Sequence, residues 1–157
     1  MRDGFIRTAA ATPKIKVADP VHNREAICRI IEEYEKKGAE LLVFPELCLS
    51  GYTCNDLFQQ EILLEQVKEE LKNLVDFTKG RKMLLFAGLP WEHEGKLYNV
   101  AAAICDGELL GLVTKTNMPN YSEFYELRHF TPGMEIPVLT DWQDTQVPMG
   151  TNLLFTC

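Results

Sequence analysis

No stretch of apolar residues in this sequence is long enough to cross a bilayer, and the N-terminus, Met1 to Gly4, has no signal-peptide pattern. Basic residues are few: 16 Lys and Arg stand against 23 Asp and Glu, for a formal net charge of −7. A nucleic-acid partner would need a basic patch. We therefore expect a soluble protein that binds neither membrane nor nucleic acid.

Cysteine pairs at CxxC spacing are absent, and the five cysteines are an odd number. The three histidines, His22, His93 and His129, show no ligand spacing with them. This usage predicts reduced thiols in a cytoplasmic protein, without a metal site. Nothing resembles a phosphate-binding loop, so we expect no cofactor site in this chain, and Gly51 and Gly88 are interpreted as turn glycines.

Two amphipathic helices alternate with short apolar runs. The helix-start signal at Asp19-Pro20 and the stop signal at Gly38 bound the first helix, and apolar residues at helical spacing over 63–75 predict the second. Strands are predicted at 5–12 (buried), 41–44, 83–89, 98–105 and 109–113, with a short helix around 123–129 and irregular structure after it. This order implies an α/β sandwich, a mixed sheet with both long helices on one face.

Two charges follow predicted strands: Glu46 after the strand at 41–44, and Lys115 after the strand at 109–113. The carboxyl ends of parallel strands are where open α/β sheets place ligands, and Leu89 is expected at the same edge. The topology therefore permits Glu46 and Lys115 to meet. Such a pair suits nucleophilic acyl transfer, with a carboxylate as base for a cysteine thiol and a lysine stabilising the oxyanion.

Two segments carry a resemblance to a known family. Residues 44–53 (FPELCLSGYT) resemble the first signature of the nitrilase, or carbon-nitrogen hydrolase, superfamily, and residues 115–133 resemble its second. Residues 9–13 (AAATP) and 56–58 (DLF) are similar to the N-terminal glutaminase domain of glutamine-dependent NAD synthetases. The resemblance covers essentially the whole chain and implies a nitrilase-like αββα sandwich.

The resemblance also implies roles for four residues. Glu46 is the general base, Lys115 stabilises the oxyanion, Glu126 is the additional glutamate near the lysine, and Tyr121 lines a glutamine pocket. Glutamine is the implied substrate. The ammonia would serve a synthetase domain of the same parent chain, which uses ATP and Mg²⁺ to make NAD.

The nucleophile implied by the resemblance is a cysteine on a strand later than Lys115. Residues 150–157 resemble the stretch just before that strand, so residues 1–157 are expected to be the N-terminal part of a glutaminase domain, inactive by itself. Cys105 precedes Lys115 in a predicted hairpin, Cys157 has no acid after it, and Cys48 has no special position. All three are interpreted as non-catalytic thiols.

Other interpretations stay open at this point. The chain also fits a fragment of a stand-alone amidase or nitrilase, or a non-catalytic α/β interaction module. In the last case Glu46, Glu126 and Lys115 are ordinary solvated charges and Tyr121 is a packing aromatic.

An incomplete sandwich would leave one sheet face open, at residues such as Val43, Leu85 and Ala102. We therefore expect a homo-oligomer or a poorly stable fold.

Overall fold

The computed structural model describes residues 4–155, and within them seven strands form one mixed sheet in the order β1-β2-β3-β4-β5-β7-β6. The elements follow in chain order: β1 (Thr8–Ala10), α1 (Pro20–Lys36), β2 (Leu41–Val43), a 3-10 helix (Asn55–Gln59), α2 (Glu61–Phe77), β3 (Leu84–His93), β4 (Lys96–Cys105), β5 (Glu108–Thr114), α3 (Glu126–His129), β6 (Val138–Trp142) and β7 (Thr145–Gly150). Strands β1, β2 and β3 run parallel, and β3, β4 and β5 run antiparallel. The predicted α/β class is confirmed.

The ends of α1 are set by the residues that predicted them. The Asp19 side chain accepts a hydrogen bond from the backbone N–H of His22 at 3.0 Å, and Pro20 starts the helix. After the last turn, Gly38 adopts φ 71°, a left-handed conformation that glycine adopts without steric cost. The helix is therefore bounded by its own capping residues.

One core joins both long helices to one face of the sheet. Ile27 and Ile31 of α1 and Leu71 of α2 are fully buried, and they share a hydrophobic cluster with Leu85 of β3. Burial of each such side chain contributes about 1.5 to 3 kcal/mol of transfer free energy. Within residues 4–155, no helix combines the length and apolar character needed to cross a membrane.

The prediction of a buried strand over 5–12 is wrong. Strand β1 has three residues, and Phe5, at 80% exposure, and Ile6, at 51%, lie outside it at the surface. The strand stands at the edge of the sheet, where β2 is its neighbour on one side and solvent meets the other. The apolar composition of this stretch therefore does not reflect burial.

The hairpin of β6 and β7 was not predicted from the sequence. Proline and glycine predicted irregular structure there, yet Leu139 pairs with Pro148 in an antiparallel ladder. Pairing of β7 with β5 begins only at Met149, so the missing N–H of Pro148 costs no bond to β5. The signal was alternation: Thr140 and Trp142 are both buried, with exposed residues between and beside them.

Strand β3 is longer than predicted. It continues through Pro90 to His93, and the Glu94-Gly95 turn then reverses the chain into β4. Leu89 therefore lies inside the strand, paired with Val100, and not at its carboxyl end as expected. The next turn, at Asp106 and Gly107, has positive φ at both residues, as the predicted hairpin requires.

The second face of the sheet is partly open, but not at all of the predicted residues. Leu85 and Ala102 are 1% and 0% exposed because they belong to the helix-covered face, so that part of the prediction is wrong. Val43 is 39% exposed, as expected. Its cross-strand partner Phe86 and nearby Ala101 are half-buried on the open face. Strand alternation by one residue decides between the two faces.

We expect the purified 157-residue chain to self-associate through this open face, since apolar patches drive association. Light scattering over a range of concentrations measures it. Val43→Lys should reduce the association, because it places a charge on the open face. Val21→Lys is the matched control: Val21 is 37% exposed on α1, against 39% for Val43. A concentration-independent monomer for the unmodified chain would contradict the expectation.

Candidate active site

Glu46 lies in a tight loop directly after β2. The next residue, Leu47, is fully buried and adopts φ 50°, a left-handed conformation that is uncommon for a leucine. The loop is held on β3, where Leu49 N–H donates to the Gly88 carbonyl at 3.1 Å. The Gly51 N–H closes the turn by donating to the Leu47 carbonyl at 2.7 Å. Glu46 therefore stands on a fixed, strained backbone.

Gly88 makes this loop possible, and its interpretation as a turn glycine is wrong. It lies within β3, and a Cβ added there would be 2.4 Å from Leu47 N, 2.6 Å from Pro45 O and 2.8 Å from Glu46 C. Such contacts exclude any side chain, so the loop rests directly on the strand backbone. Gly51 is a turn glycine as predicted, with φ 95°.

Gly88→Ala is expected to destabilise the chain by about 2 to 3 kcal/mol, because three backbone atoms of the Glu46 loop must move. Thermal unfolding of the purified chain at fixed concentration measures the loss. Gly95→Ala is the comparison: its Cβ would meet nothing within 4 Å, so only the cost of its positive φ, about 1 kcal/mol, is expected. Wild-type stability in Gly88→Ala would mean that the loop does not lie on the strand as described.

Lys115 follows β5 and meets Glu46, as the topology permits. Its Nζ donates to Glu46 Oε1 at 2.6 Å, and to Glu126 Oε2 at 2.8 Å and Oε1 at 3.0 Å. The Lys115 backbone is held on both sides: its N–H donates to the Asn99 carbonyl at 2.9 Å, and its carbonyl accepts from Gly133 N–H at 2.8 Å. We call Glu46, Lys115 and Glu126 the carboxylate–lysine cluster.

Glu126 is the buried member of this cluster. Its side chain is 6% exposed at the start of α3, so the alternative of a solvated position is wrong for Glu126, whereas Glu123 is exposed. Its Oε1 also accepts a hydrogen bond from the Tyr52 hydroxyl at 2.7 Å. A buried carboxylate needs a cation and hydrogen-bond donors, and Lys115 with Tyr52 supplies both.

The cluster fixes the charge state of Lys115. Burial lowers the pKa of the Lys115 ammonium, but its hydrogen bonds to Glu126 and Glu46 raise it by more, so the net pKa is raised. The pKa of the Tyr52 hydroxyl is also raised. Burial is the main cause, and the hydrogen bond to Glu126 is the second. At neutral pH the cluster therefore presents a protonated lysine beside a neutral phenol.

Sequence reasoning assigned no role to Tyr52 or Asn99. Tyr52 belongs to the first signature, and its hydroxyl donates a hydrogen bond to Glu126. Asn99 is 3% exposed, and its side-chain amide donates to Glu46 Oε1. An asparagine inside an otherwise apolar strand was the available signal, because a buried amide needs a partner.

Tyr121 lies at the surface of the protein. Its ring is 68% exposed and meets the edge of Phe124, with ring centroids 5.6 Å apart. Tyr121 is close enough to Tyr52 to be one of the lesser causes of the raised Tyr52 pKa. Its place in a glutamine pocket stays a prediction.

The described thiols are poor nucleophiles. Burial raises the pKa of Cys48 to about 12, and its Sγ donates to the Gly88 carbonyl at 3.6 Å. Burial also raises the pKa of Cys54 and of Cys28. Cys105 is 8% exposed at the end of β4. Attack requires an accessible thiolate, so none of these four residues fits the role. Cys157 lies outside the described residues.

A cleft of about 320 Å³ opens beside the cluster, between the open sheet face and the Glu46 loop. Val43, Phe86 and Ala101 line its apolar side, and Glu46 and Lys115 line its polar side. Among residues 4–155, no three His, Cys, Asp or Glu side chains come together as a metal site requires. An apolar cleft with a few convergent polar groups is the usual form of a small-molecule site.

One family match covers all seven strands of the described sheet and the carboxylate–lysine cluster. The sequence matches the Carbon-nitrogen hydrolase family over residues 7–152. This chain belongs to that family. The predicted resemblance is confirmed.

Relatives within the family are named as synthetases. The glutamine-dependent NAD(+) synthetase of Mycobacterium leprae is 35% identical over 152 residues, which are 97% of this chain and 22% of that protein. That of Aquifex aeolicus is 39% identical over 119 residues, 76% of this chain and 21% of that protein. The crystal structure of a glutamine-dependent NAD(+) synthetase from Cytophaga hutchinsonii matches 97% of this chain with a TM-score of 0.90 and 27% identity. The match covers 26% of that chain, so this chain spans about a quarter or less of these relatives' length.

Proposed function

We propose that residues 1–157 are the N-terminal part of a glutaminase domain, and that the full-length protein containing them is a glutamine-dependent NAD synthetase. The observation that carries the proposal is Lys115 Nζ, held between Glu46 at 2.6 Å and Glu126 at 2.8 Å beside an open cleft. The names of the relatives favour a glutaminase over a stand-alone amidase or nitrilase. The position of the charge cluster on an open, partly apolar cleft also argues against a non-catalytic module.

In the proposed first step, Glu46 accepts the proton of a cysteine S–H. The thiolate attacks the side-chain amide carbon of glutamine, a C–S bond forms, and the carbonyl electron pair moves to oxygen. Lys115 stabilises this oxyanion. The tetrahedral intermediate collapses, the C–N bond breaks, and the proton on Glu46 passes to the leaving nitrogen. Ammonia and a γ-glutamyl thioester result.

The second step hydrolyses the thioester. Glu46 accepts a proton from water as the water oxygen attacks the thioester carbonyl, again with Lys115 on the oxyanion. The C–S bond then breaks, and the sulfur regains the proton from Glu46. Glutamate leaves and the thiol is restored. A base that gives and takes one proton in each half-reaction needs a fixed position and access to the cleft, and 39% exposure of the Glu46 side chain supports this.

Glu126 has a supporting role in this proposal. It holds the Lys115 ammonium from the buried side, and Tyr52 holds Glu126 in turn. With the Lys115 pKa raised, the lysine acts as a fixed positive charge and not as a proton carrier. Tyr121, at the surface, is proposed to contact glutamine when the pocket is occupied. The ammonia is proposed to serve an ATP- and Mg²⁺-dependent synthetase domain in the same full-length protein.

We propose a cysteine later in the full-length protein as the nucleophile, since the four described thiols are buried. The full-length protein is expected to release ammonia and glutamate from glutamine. The purified 157-residue chain is expected to release none above the uncatalysed rate, because residues that act as a unit lose most of their effect when one is removed.

Coupled ammonia detection on both proteins tests the proposal, and the Cys157→Ala variant of the short chain is its control. Release by the short chain that disappears in this variant would make Cys157 the nucleophile. Absence of glutamine hydrolysis by the full-length protein, with simple amides hydrolysed instead, would favour a stand-alone amidase.

A further inference from the structure

Asn99 is a buried polar residue in the middle of the sheet. It is 3% exposed, and the strand around it, β4, is otherwise apolar from Val100 to Ile104. Burying an amide without hydrogen-bond partners costs about 1 to 3 kcal/mol in proteins. A leucine or valine would fill this position without that cost, so the amide calls for an explanation from its contacts.

Asn99 binds two members of the carboxylate–lysine cluster at once. Its side-chain Nδ2 donates to Glu46 Oε1, and its backbone carbonyl accepts the Lys115 N–H at 2.9 Å. A carboxylate only accepts hydrogen bonds, so the amide nitrogen, and not the amide oxygen, faces Glu46. One residue of β4 thus sets both the Glu46 side chain and the Lys115 backbone.

The two donors to Glu46 converge on the same oxygen. Lys115 Nζ donates to Oε1 at 2.6 Å, and Asn99 Nδ2 donates to Oε1 as well. Within residues 4–155, no group donates a hydrogen bond to Oε2. An oxygen that already accepts an ammonium and an amide N–H is a poor acceptor for a further proton. The free lone pairs for base catalysis therefore lie on Oε2.

We propose that Asn99 is a positioning residue that locks the Glu46 carboxylate and directs the catalytic proton to Oε2. The inference rests on the proposed function of Glu46 as general base. Without the amide, the carboxylate is free to rotate about its last side-chain bond and to present either oxygen to Lys115. A base held in one orientation loses less entropy on reaching the transition state, and small misplacements lower the rate steeply.

The charged and titratable groups around Glu46 come from two other elements and from its own loop. Lys115 follows β5, Glu126 belongs to α3 and reaches Glu46 through Lys115, and Tyr52 lies in the loop after β2. A substitution at Asn99 removes one hydrogen bond to Glu46. It leaves Lys115, Glu126 and Tyr52 in place.

The test measures kcat and KM for ammonia release from glutamine across pH, in the full-length protein. Asn99→Leu, of similar size, is expected to lower kcat about 10- to 100-fold with KM changed less than about threefold. The acidic limb of the pH profile should move to higher pH, because the charged form of Glu46 has lost a hydrogen bond. Asn99→Asp keeps the shape but places a second carboxylate beside Glu46, so a larger shift in the same direction is expected.

Asn73→Leu is the matched control. Asn73 also donates to a glutamate, Glu70 Oε1 at 3.1 Å, but on α2 and away from the cleft, so kinetics should not change. If Asn99→Leu does not fold, Asn99→Asp carries the same comparison.

Two results would overturn the inference: wild-type kcat and pH profile in the Asn99 variants, or a loss that is equal at every pH with the acidic limb unmoved. The second is what a purely structural role would give. Glu46→Gln in the same assay separates the two proposals. If Glu46→Gln retains activity, the proposed function fails. If Glu46→Gln is inactive while the Asn99 variants are normal, only the positioning role fails.

Discussion

Glu46→Gln in the full-length protein is expected to lower kcat/KM for ammonia release from glutamine by about 10²- to 10⁴-fold. Glutamine keeps the size and the hydrogen-bonding reach of glutamate, but its amide does not accept a proton at neutral pH. Asn99 and Lys115, which both donate to Glu46 Oε1, would still find an amide oxygen there. The variant therefore removes the base while it keeps the local contacts.

Glu65→Gln makes the same chemical change on the exposed side of α2, where kinetics should be unaffected. Thermal unfolding of both variants separates a catalytic loss from a loss of structure, since both should unfold near the wild-type temperature. Near-normal ammonia release by Glu46→Gln would remove Glu46 from the mechanism.

Lys115→Met is expected to lower kcat by about 10²- to 10³-fold, the usual cost of losing one oxyanion donor. It should also destabilise the protein by about 3 kcal/mol, the low end for breaking a buried ion pair. The lysine is 26% exposed, but its partner Glu126 is only 6% exposed and would lose its cation. Glu46 and Glu126 would then face each other as like charges. Lys72→Met, at an exposed position of α2, is the control for loss of one positive charge.

The stability part of this prediction has a defined pH dependence. The Lys115 pKa is raised in the folded chain, so its ion pairs stabilise fully below the unfolded value, about pH 10.4. That stabilisation is lost as pH rises through the higher folded pKa. The difference in unfolding free energy between wild type and Lys115→Met should therefore stay constant from about pH 6 to about pH 9 and shrink above about pH 10.4. A difference that shrinks near neutral pH would contradict the raised pKa.

Local signals in the sequence predicted the helices well. Asp19 and Gly38 bound α1 in the structure as they do in the sequence, because capping depends on contacts within a few residues. The topology also permitted Glu46 and Lys115 to meet, since β2 and β5 run in the same direction and their carboxyl ends lie at the same edge of the sheet.

Properties that depend on partners distant in the chain were harder to predict. Leu85 was expected on the open face and lies on the covered one, whereas Phe86, one residue on, lies on the open face. Strand alternation has a period of two, so an error of one residue reverses every assignment. Gly88 shows the same limit. A glycine is needed there because residues 45–47 approach its backbone closely, and the residues next to Gly88 in the sequence do not indicate this approach.

The polar contacts around the cluster were predictable only in part. The structure brings together Glu46, Lys115 and Glu126, for which the family resemblance implied roles, whereas Tyr52 and Asn99 had no assigned role. Their contacts span 74 and 53 residues of sequence, and only the folded sheet brings them to their partners. A buried polar residue in an apolar strand is nevertheless a signal that sequence reading can use.

Capture of the acyl-enzyme is the most direct test of the proposed mechanism. The full-length protein is mixed with glutamine, quenched in acid within the first turnovers, digested and examined by mass spectrometry. We expect a γ-glutamyl thioester on one cysteine that follows Lys115 in the chain, and strongly reduced formation of this adduct in Glu46→Gln and Lys115→Met. Ammonia release without any cysteine adduct, an adduct on Cys48 or Cys105, or an adduct that forms in Glu46→Gln at the wild-type rate would contradict it.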